Sequence, residues 1–507
     1  MPAAIPIIAG AFVAEAVTVL IGPALGSIAG VAIGKVVGGI AGGVVSAGLS
    51  SAFRDKPEPQ GSVQSFEQQA RGALINSAST VDPIPVIYGT RRVGGTRVFT
   101  EISGSANEFL NLIVMLAEGE VSAINTVYLD DVASTDARFS GLVTLVKHTG
   151  ADNQAADSAL SAELPAKWSA DHRLRGVAYV YLKLQFSESA FNGLPTVTAD
   201  VDGKLVYDPR DATTKFSDNP ALCLRDYLTN TRYGRGIPAT AIDDNSFSAA
   251  ANVCDELVSA PSGNQARYTC DGLVDTDADL IDNVNALLGS CRGFLVYSGG
   301  KHKLVIDKAE ADVAFTFTED NIVGAWSIKN ASKRSRANRV KARFFNPDRR
   351  WQPDLAIFDS SADRSSDNGV LLEHEIALPF TSNLYRAQQI AMLAEKSSRF
   401  GIACRFRATI EGLQCEVGDI VNITHSTPGW SAKPFRVSRI ELLNSDEVEV
   451  TAVEYQASAY SLDTLATAAT VPATNLPNPF SVTAPAGLGL TSGTAELFVA
   501  GDGTVHS

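Results

Sequence analysis

Much of the chain alternates, or runs continuously apolar, in the manner of β-strands. The stretch "FLNLIVMLAEGEVSAINTVYLDD" at 109–131 holds two apolar runs that meet at a glycine, which predicts a hairpin of buried strands. The stretch "VAYVYLKLQF" at 177–186 predicts another strand. The stretch "VTADVDGKLVYDP" at 197–209 predicts a second hairpin, because Asp202-Gly203 is typical of a tight turn. This part of the chain is therefore expected to be β-rich.

Strands return in the second half of the chain. In "NRVKARFF" at 338–345, Val340, Ala342 and Phe344 fall on one side of a strand and three cations on the other. We expect the apolar side to face a core. Further alternating runs predict strands at 404–410, 416–423, 434–442 and 448–455.

A block of helices separates the two β-rich parts. The clearest pattern is "DADLIDNVNALLGSCRG", whose apolar residues recur at helical spacing up to Gly293. Another helix is expected to begin at Pro220, because polar capping residues precede that proline. A hairpin around Gly299-Gly300 follows the block. Helices are predicted at 217–230, 245–258, 277–293 and, later in the chain, 383–399.

The first 50 residues are apolar and carry a stripe of glycines. Each glycine inside a helix costs about 0.8–1 kcal/mol against alanine, and close packing against another helix is the usual compensation. A spacing of four drifts by about 40° per step around a helix, so several neighbours would be needed to contact the whole stripe. We predict a helical hairpin packed in an oligomer. A membrane span and a disordered leader are the alternatives. The helix-packing stripe is Gly22, Gly26, Gly30, Gly34, Gly38 and Gly42.

Changes in composition suggest where the domains begin and end. The proline-rich end has only about 20 residues after Pro485, whereas a β-sandwich needs about 100, so we expect the chain to be the front portion of something longer. The predicted parts are a glycine-rich helical leader at 1–53, a linker at 54–65, a first β region at 66–210, an α+β domain at 211–310, a second β region at 311–460, and a linker with an incomplete sandwich at 461–507.

The composition narrows the class of protein. At 507 residues the chain is expected to hold several domains, and 41 glycines with 22 prolines favour a turn-rich, β-rich architecture. A net charge of -14 argues against general nucleic-acid binding. Six cysteines without C-x-x-C spacing indicate reduced core thiols and synthesis in a reducing cytosol.

Motifs that carry chemistry are missing from the sequence. His374 begins "HEIAL" but lacks the second histidine of H-E-x-x-H. The stretch "AGVAIGKVV" at 29–37 fails as a phosphate loop at its first glycine and at its final Ser/Thr, and no G-x-S-x-G is present around residue 43. Acidic pairs such as Asp243-Asp244 precede helices, where they cap. We predict no catalytic, cofactor-binding or metal-ligating residues and no cofactor.

One charged feature stands out against the acidic total. Nine Lys or Arg residues and a single acid, Asp348, lie between Lys329 and Arg350. We predict that three of these cations make inter-chain or inter-domain salt bridges. A solvated strand face is the plainer alternative, and DNA contact is a weaker one. The three residues are Arg339, Lys341 and Arg343.

Five stretches, covering roughly residues 80–460, carry a family resemblance. Together and in this order they resemble the tail tip attachment, or host-specificity, protein of long non-contractile-tailed bacteriophages, the lambda-type central hub. The stretches are "PIPVIYGTRRVGG" (83–95), "GVAYVYLKLQFSESAFNGLPTVTADVDGKLVYDPR" (176–210), "DNPALCLRDYLTNTRYGRGIP" (218–238), "LLGSCRGFLVYSGGKHKLVID" (287–307) and "VGDIVNITHSTPGWSAKPFRV" (417–437).

The resemblance implies a multidomain, mainly β protein with an α+β insertion, in which baseplate-hub-like β domains precede the start of a fibronectin type III-like sandwich. The glycine-zipper helical segment predicted from the glycine spacing would precede these domains. It implies a homotrimeric, non-enzymatic hub that closes the tail tube as a ring, connects it to receptor-binding fibre domains, and gates passage of the tape-measure protein and DNA during ejection. The protein would be made in the host bacterial cytoplasm and reside at the virion tail tip.

The resemblance also implies the partners. These are the distal tail protein and other tail tip proteins, the tape-measure protein, and a host outer-surface receptor bound through regions beyond this chain. DNA would pass through without being specifically bound. Residues 5–50 lie outside the stretches that carry the resemblance, and we predict separately that they plug or line the lumen of the hub, contact the tape-measure protein, or contact a membrane. Two alternatives of another class stay open, namely a tail-tip cell-wall hydrolase and a pore protein that inserts into membranes through residues 5–50.

Overall fold

The computed structural model describes most of the chain between residues 82 and 461, with short pieces outside that range. The residues up to 461 belong to one compact unit, Met1–Ala466, and the last four belong to a second unit, Thr467–Ser507. The described residues are 19–21, 74–78, 82–191, 193–261, 263–309, 312–330, 335–443, 446–461, 498–499 and 505–506.

Strands outnumber helices among the described residues, so the chain is mainly β, as predicted. The helices are α1 (Ser158–Glu163), α2 (Pro220–Thr229), α3 (Asp244–Asp255), α4 (Leu280–Cys291), α5 (Ser361–Ser366) and α6 (Leu384–Ser398). The strands are β1 (Val19–Ile21), β2 (Val86–Tyr88), β3 (Thr90–Val93), β4 (Thr96–Ser103), β5 (Phe109–Glu118), β6 (Val121–Leu129), β7 (Val132–Ala133), β8 (Val143–His148), β9 (Val177–Gln185), β10 (Val197–Asp208), β11 (Thr213–Phe216), β12 (Leu257–Ala260), β13 (Gly263–Ala266), β14 (Gly272–Val274), β15 (Gly293–Ser298), β16 (Lys301–Ile306), β17 (Phe315–Phe317), β18 (Ile322–Asn330), β19 (Arg339–Asn346), β20 (Gln352–Asp359), β21 (Glu373–Ala377), β22 (Ile402–Thr409), β23 (Ile420–His425), β24 (Trp430–Leu442), β25 (Glu447–Glu454), β26 (Phe498–Val499) and β27 (Val505–His506).

Two sheets form what we call the first sandwich. One sheet has the order β4-β5-β9-β8, and the other has the order β11-β10-β6-β7 with β3 also paired to β10. Apolar residues of both sheets, such as Leu112, Val180 and Val201, share one buried core. The two apolar runs at 109–131 are strands that meet at Gly119, as predicted, but they pair with strands of different sheets and not with each other. The predicted hairpin is therefore wrong in its pairing.

The hairpin predicted at 197–209 is also wrong. Residues 197–208 form the single continuous strand β10, which pairs with β6 and then with β11. Gly203 lies inside this strand, where a Cβ atom would stand 2.2 Å from the carbonyl oxygen of Ile87. The glycine therefore permits a close backbone approach and does not make a turn.

The predicted hairpin around Gly299-Gly300 is confirmed, and the helical block packs against it. Helices α2, α3 and α4 and the hairpin β15–β16 contribute to one core, which also includes Phe344 from β19 and Ile390 from α6. This core continues past the predicted boundary at residues 310 and 311. The side chain of Asn219 caps α2, and Pro220 occupies its first turn. Helix α4 ends at Cys291, and its C-cap Arg292, one residue before the predicted stop at Gly293, has a left-handed φ of 55°.

The second β region contains a three-stranded sheet and a six-stranded sheet. In the three-stranded sheet, β19 lies between the antiparallel β20 and the parallel β21. Val340, Ala342 and Phe344 are buried beside α6, so the predicted inner side of β19 is confirmed. The six-stranded sheet has the order β17-β23-β24-β25-β22-β18 and buries aromatic residues such as Phe317 and Phe406.

Only three residues of the predicted helical leader are described, and for these the prediction of a helix is wrong. Val19–Ile21 form strand β1, which pairs antiparallel with Phe294 to Val296 on β15. Two of the three residues are β-branched, which favours this extension of the hairpin. The glycine stripe from Gly22 to Gly42 and the linker at 54–65 lie outside the described residues.

Near the C-terminus, β26 and β27 pair antiparallel. The rest of the predicted fibronectin type III-like segment lies outside the described residues. Within the parts that the structure describes, no helix combines the length and apolar character needed to cross a membrane.

Candidate assembly surfaces

The predicted basic residues of β19 lie together on the outer face of the three-stranded sheet. Their positions alternate with the buried Val340, Ala342 and Phe344, so period-two geometry places all three cations on the opposite side. Each cation contacts an acid on a neighbouring strand, and we call this set the charged ladder. Its ion pairs are Arg339 with Asp359 and Glu373, Lys341 with Glu373, and Arg343 with Glu375.

The charged ladder neutralises its own charge. The Arg339 guanidinium lies 2.6 Å from Asp359, and the Lys341 ammonium lies 2.7 Å from Glu373. The hydrogen bond from Arg339 to Asp359 raises the pKa of that arginine. All of these partners belong to the same sheet and to the same predicted region, 311–460. The contact predicted for the three cations with another chain or domain therefore stays a prediction, and the contacts seen are internal.

A buried arginine joins the first sandwich to the three-stranded sheet. Arg91 on β3 is 2% exposed, and its guanidinium carbon lies 3.7 Å from the ring centre of Phe345 and 4.8 Å from that of Trp351. Phe345 follows Arg343 on the same outer face of β19. One end of this face is therefore already covered by the first sandwich, through a cation–π contact.

The Arg91 guanidinium is poorly satisfied. Its Nε and Nη1 atoms have no hydrogen-bond partner among the described residues. Burial lowers the pKa of Arg91 to about 9, and the negative charge of Asp271 opposes this shift. A buried cation with unsatisfied N–H groups is costly, and the aromatic rings of Phe345 and Trp351 offset part of that cost.

Asp131 ties the same two parts together by charge. It lies 2.6 Å from the Arg92 guanidinium and 3.2 Å from that of Arg350. Asp131 sits in the turn between β6 and β7 with a φ of 64°, whereas Arg350 and Trp351 have φ values of 56° and 60°. Two turns with left-handed residues thus meet at this point. We call Arg91, Arg92, Asp131, Phe345, Arg350 and Trp351 the joint.

The joint was not predicted from the sequence. Arg91-Arg92 interrupts an apolar strand inside the stretch 83–95, which carried part of the family resemblance. A charged pair in such a strand was a usable signal, because buried cations need a specific partner. Nothing in the local pattern pointed to Trp351 or Asp131 as that partner, since they lie far away in sequence.

Two of the stretches that carried the resemblance meet at one carboxylate. Tyr88 and Tyr233 each donate a hydrogen bond of 2.6 Å to Asp226 Oδ2. Burial raises the pKa of both phenols, and the charge of Asp226 adds to the rise. The tyrosines therefore stay neutral donors, and this cluster links β2 to α2 as a structural element.

The cysteines and the possible metal-binding side chains are the remaining candidates for reactive or metal-binding chemistry among the described residues. All six cysteines lie among the described residues, where each is buried and free. Across the described ranges, no group of three or more His, Cys, Asp or Glu side chains is placed to hold a metal ion.

Comparison with known proteins agrees with the fold. Residues 279–440 match the family described as "Putative phage tail protein". The chain is 20% identical over 451 residues to baseplate hub protein pb3 of Escherichia phage T5, covering 73% of this chain and 47% of that protein. It is 30% identical over 159 residues to tip attachment protein J of Escherichia phage SECphi27, covering 30% of this chain and 13% of that protein. The chain spans less than half the length of these two relatives.

A solved structure shares the fold. A chain of the virion of the native gene transfer agent particle superimposes with a TM-score of 0.55 at 18% sequence identity, covering 76% of this chain and 88% of that chain. The family match and the relatives place part of this chain beside phage tail proteins in sequence, and the solved structure places it beside a chain of that virion in fold. This chain is a homologue of proteins named tip attachment protein and baseplate hub protein, and the predicted resemblance is confirmed.

Proposed function

We propose that the chain is the structural hub of a phage tail tip, where it closes the tail tube as a ring. The observation that carries the proposal is the match to a baseplate hub protein over 451 residues, which covers 73% of this chain. The joint, the Asp226 cluster and the shared core of the helical block support it, because they fix these parts into one compact unit.

The proposed mechanism is geometric. Three copies form the ring, rigid β units hold its diameter, and the tape-measure protein and DNA pass through it during ejection. The charged ladder supports passage without specific DNA binding, because its three cations are already paired with acids of the same sheet. The net charge of -14 points the same way.

The partners follow from this position. We propose contacts with the distal tail protein and other tail tip proteins on one side, and a connection to receptor-binding fibre domains beyond this chain on the other. The division into regions 66–210, 211–310 and 311–460, and the incomplete sandwich after the linker, belong to this proposal. So does the role of the glycine stripe in packing helices of neighbouring copies.

A complementation experiment tests the hub function. The phage whose genome encodes the chain is given an amber codon in this gene and grown with or without the full chain supplied in trans. We expect tails to be missing or incomplete without the chain, and gold-labelled antibody to mark the tail tip when it is supplied. Complete, infectious tails that lack the protein would refute the proposal.

A second assay addresses enzymatic activity. The purified full chain is run on a zymogram that contains cell-wall peptidoglycan, beside lysozyme as the positive control. We expect no clearing by the chain, since a hub acts through its surfaces. A clearing band at the position of the chain would contradict a purely structural role.

A further inference from the structure

The turn that follows helix α5 carries an asparagine–glycine pair at the surface. Asn368 and Gly369 are both exposed, and both have left-handed φ values, of 58° and 81°. The Asn368 side chain makes no hydrogen bond to any described residue. Asparagine is a thermolabile residue, and a glycine after it removes the Cβ atom that would otherwise hinder the backbone nitrogen. The pair is therefore a place where the chain can react with itself.

The reaction of such a pair is deamidation. The Gly369 backbone nitrogen attacks the Asn368 Cγ atom and forms a C–N bond, while the Cγ–Nδ2 bond breaks and ammonia leaves with the proton of the Gly369 N–H. Water then opens the resulting five-membered imide at one of its two carbonyl groups. The products are aspartate, or isoaspartate, in which the main chain runs through the former side chain. Water is the only co-reactant, and no electrons are gained or lost.

The fold engages the attacking nitrogen. The Gly369 N–H donates to the Arg364 carbonyl at 2.8 Å. The Asn368 N–H donates to the Ser365 carbonyl at 3.1 Å. These two bonds, which we call the α5 cap, form a Schellman motif, whose left-handed residue is usually glycine and sometimes asparagine. Because the Gly369 nitrogen must give up its proton in the attack, its bond to Arg364 has to open first.

Two side chains from distant parts of the chain hold the residues on either side of the pair. Arg399, just after α6, lies 2.7 Å from the Asp367 carboxylate and 3.2 Å from that of Asp363. Asn338, which is fully buried, donates to Asp367 at 3.0 Å and to the Val370 carbonyl at 2.8 Å. Since these contacts flank the α5 cap, they add to the free energy of its local opening.

We propose that Asn368 is a deamidation site and that opening of the α5 cap sets its rate. The attack occurs only in the open turn, so the observed rate is the rate of an unrestrained Asn-Gly pair multiplied by the open fraction. The contacts of Arg399 and Asn338 keep that fraction small. The site is separate from the charged ladder and the joint, and the inference does not depend on the proposed hub function.

The product favours further opening of the turn. A carboxylate at position 368 stands next to Asp367, and like charges at this separation repel each other. Isoaspartate also lengthens the main chain by one carbon atom, which no longer fits the geometry of the α5 cap. Each modified copy therefore carries one more negative charge and a looser turn. We expect the modification to accumulate as the protein ages, because the ammonia is lost and the step is not reversed.

Mass spectrometry of aged protein tests the site. The purified full chain is kept folded at neutral pH for several weeks and then digested with trypsin, which releases residues 365–386 as one peptide. We expect part of this peptide to gain about one dalton at Asn368, with isoaspartate detected by isoaspartyl methyltransferase. Asn383 in the same peptide is the internal control, because its side chain caps α6 and a leucine follows it. It should stay unmodified.

The unfolded chain and three variants test the control by the α5 cap. In guanidinium chloride the wild type should deamidate at Asn368 at least about tenfold faster than when folded. Arg399→Met should react at least about threefold faster than the folded wild type, because Asp367 loses its cation. Asp367→Ala removes the same ion pair from the other side and should also react faster. The matched control is Arg407→Met, whose side chain is 58% exposed and which should react like the wild type.

Two substitutions at Asn368 separate the α5 cap from the reaction. Asn368→Gly keeps the left-handed conformation and has no side-chain amide, so it should give no product and leave hydrogen exchange of the Gly369 N–H unchanged. Asn368→Asp reproduces one product and should speed that exchange at least about threefold.

Three results would overturn the inference, and circular dichroism melting curves identify the variants that fold. The site is wrong if the folded wild type gains no mass at Asn368 while the unfolded chain is converted. Control by the α5 cap is wrong if folded and unfolded chains react at the same rate. The role of the Arg399 contact is wrong if Arg399→Met and Asp367→Ala, when folded, react no faster than the wild type.

Discussion

At the scale of single residues, two buried ionisable side chains stand out as sources of instability. Arg91 is buried between aromatic rings, and Glu395 on α6 is fully buried beside Asp363 of α5. Burial raises the pKa of Glu395 to about 8, and the charge of Asp363 adds to the rise. Both groups oppose folding when charged, because the folded state offers them less solvation than water does.

Replacing Arg91 separates packing from charge. We expect Arg91→Met to raise the free energy of unfolding by about 1 kcal/mol, since it keeps the apolar volume and removes the buried charge. Arg91→Ala should lower it by about 1–3 kcal/mol, because it leaves a cavity beside Phe345 and Trp351. Calorimetric melting of the full chain measures both. The control is Arg407→Met, whose side chain is 58% exposed and should leave the melting temperature unchanged. Marked destabilisation by Arg91→Met would show that the cation–π contact outweighs the cost of burial.

Glu395 predicts a dependence of stability on pH. Its pKa is raised in the folded state from the ordinary 4.5 to about 8, so the unfolded chain releases this proton first. Below about pH 4.5 the wild type and Glu395→Gln should therefore have the same free energy of unfolding. Above that pH, the free energy of unfolding of the wild type should fall relative to the variant by up to about 1.4 kcal/mol per pH unit, and the difference should level off near pH 8. Melting curves at pH 5, 6, 7 and 8 measure the difference. The control is Glu411→Gln, which removes an exposed carboxyl and should melt like the wild type at every pH. A difference in stability between the wild type and Glu395→Gln that does not change with pH would refute the expectation.

At the scale of elements, the joint depends on two turns, and its two ion pairs are unequal. Arg92 is 6% exposed at its side chain, also hydrogen bonds to Thr198 and stacks over Tyr128, whereas the Arg350 side chain is 68% exposed. Asp131 serves both arginines. Its main contribution should therefore come from Arg92, because exposed ion pairs contribute little.

Substitution at Asp131 and Arg350 checks this ranking. We expect Asp131→Asn to cost about 1–2 kcal/mol, because it leaves the buried Arg92 without its counter-charge. Arg350→Gln should cost less than about 0.5 kcal/mol. Unfolding midpoints of the full chain, with the double variant to complete the cycle, provide the comparison. Equal losses for the two single variants would contradict it.

Elements were predictable from the sequence where the signal was local. Alternation on β19 identified its buried side correctly, and Asn219-Pro220 marked the start of α2. Pairing between distant segments was not predictable from such patterns. Asp202-Gly203 resembles a turn, but the glycine in fact makes room for the Ile87 carbonyl, which comes from far away in the chain. The joint was missed for the same reason, because Arg91 finds Phe345 only in the folded protein.

At the scale of the whole molecule, the first sandwich, the helical block and the second β region act as one piece in the proposed hub. The glycine stripe lies outside the described residues, and its role is a separate part of the proposal. We expect deletion of 22–50, which retains β1, to leave the melting temperature within a few degrees of the wild type. Assembly or genome ejection should be impaired, since the stripe is proposed to pack neighbouring copies together. Plaque counts and counts of DNA-filled particles measure the effect. Unchanged infectivity of such virions would remove the proposed role.

The six buried cysteines have a consequence for the life of a virion after release. Thiolates, not thiols, react with oxidants, and burial raises the pKa of Cys404 and of Cys415 to about 12. In the proposed hub role, the chain would pass from a reducing host cell into aerated surroundings with these two sulphurs protonated and shielded. Its chemical durability outside the host then comes from packing, without cross-links.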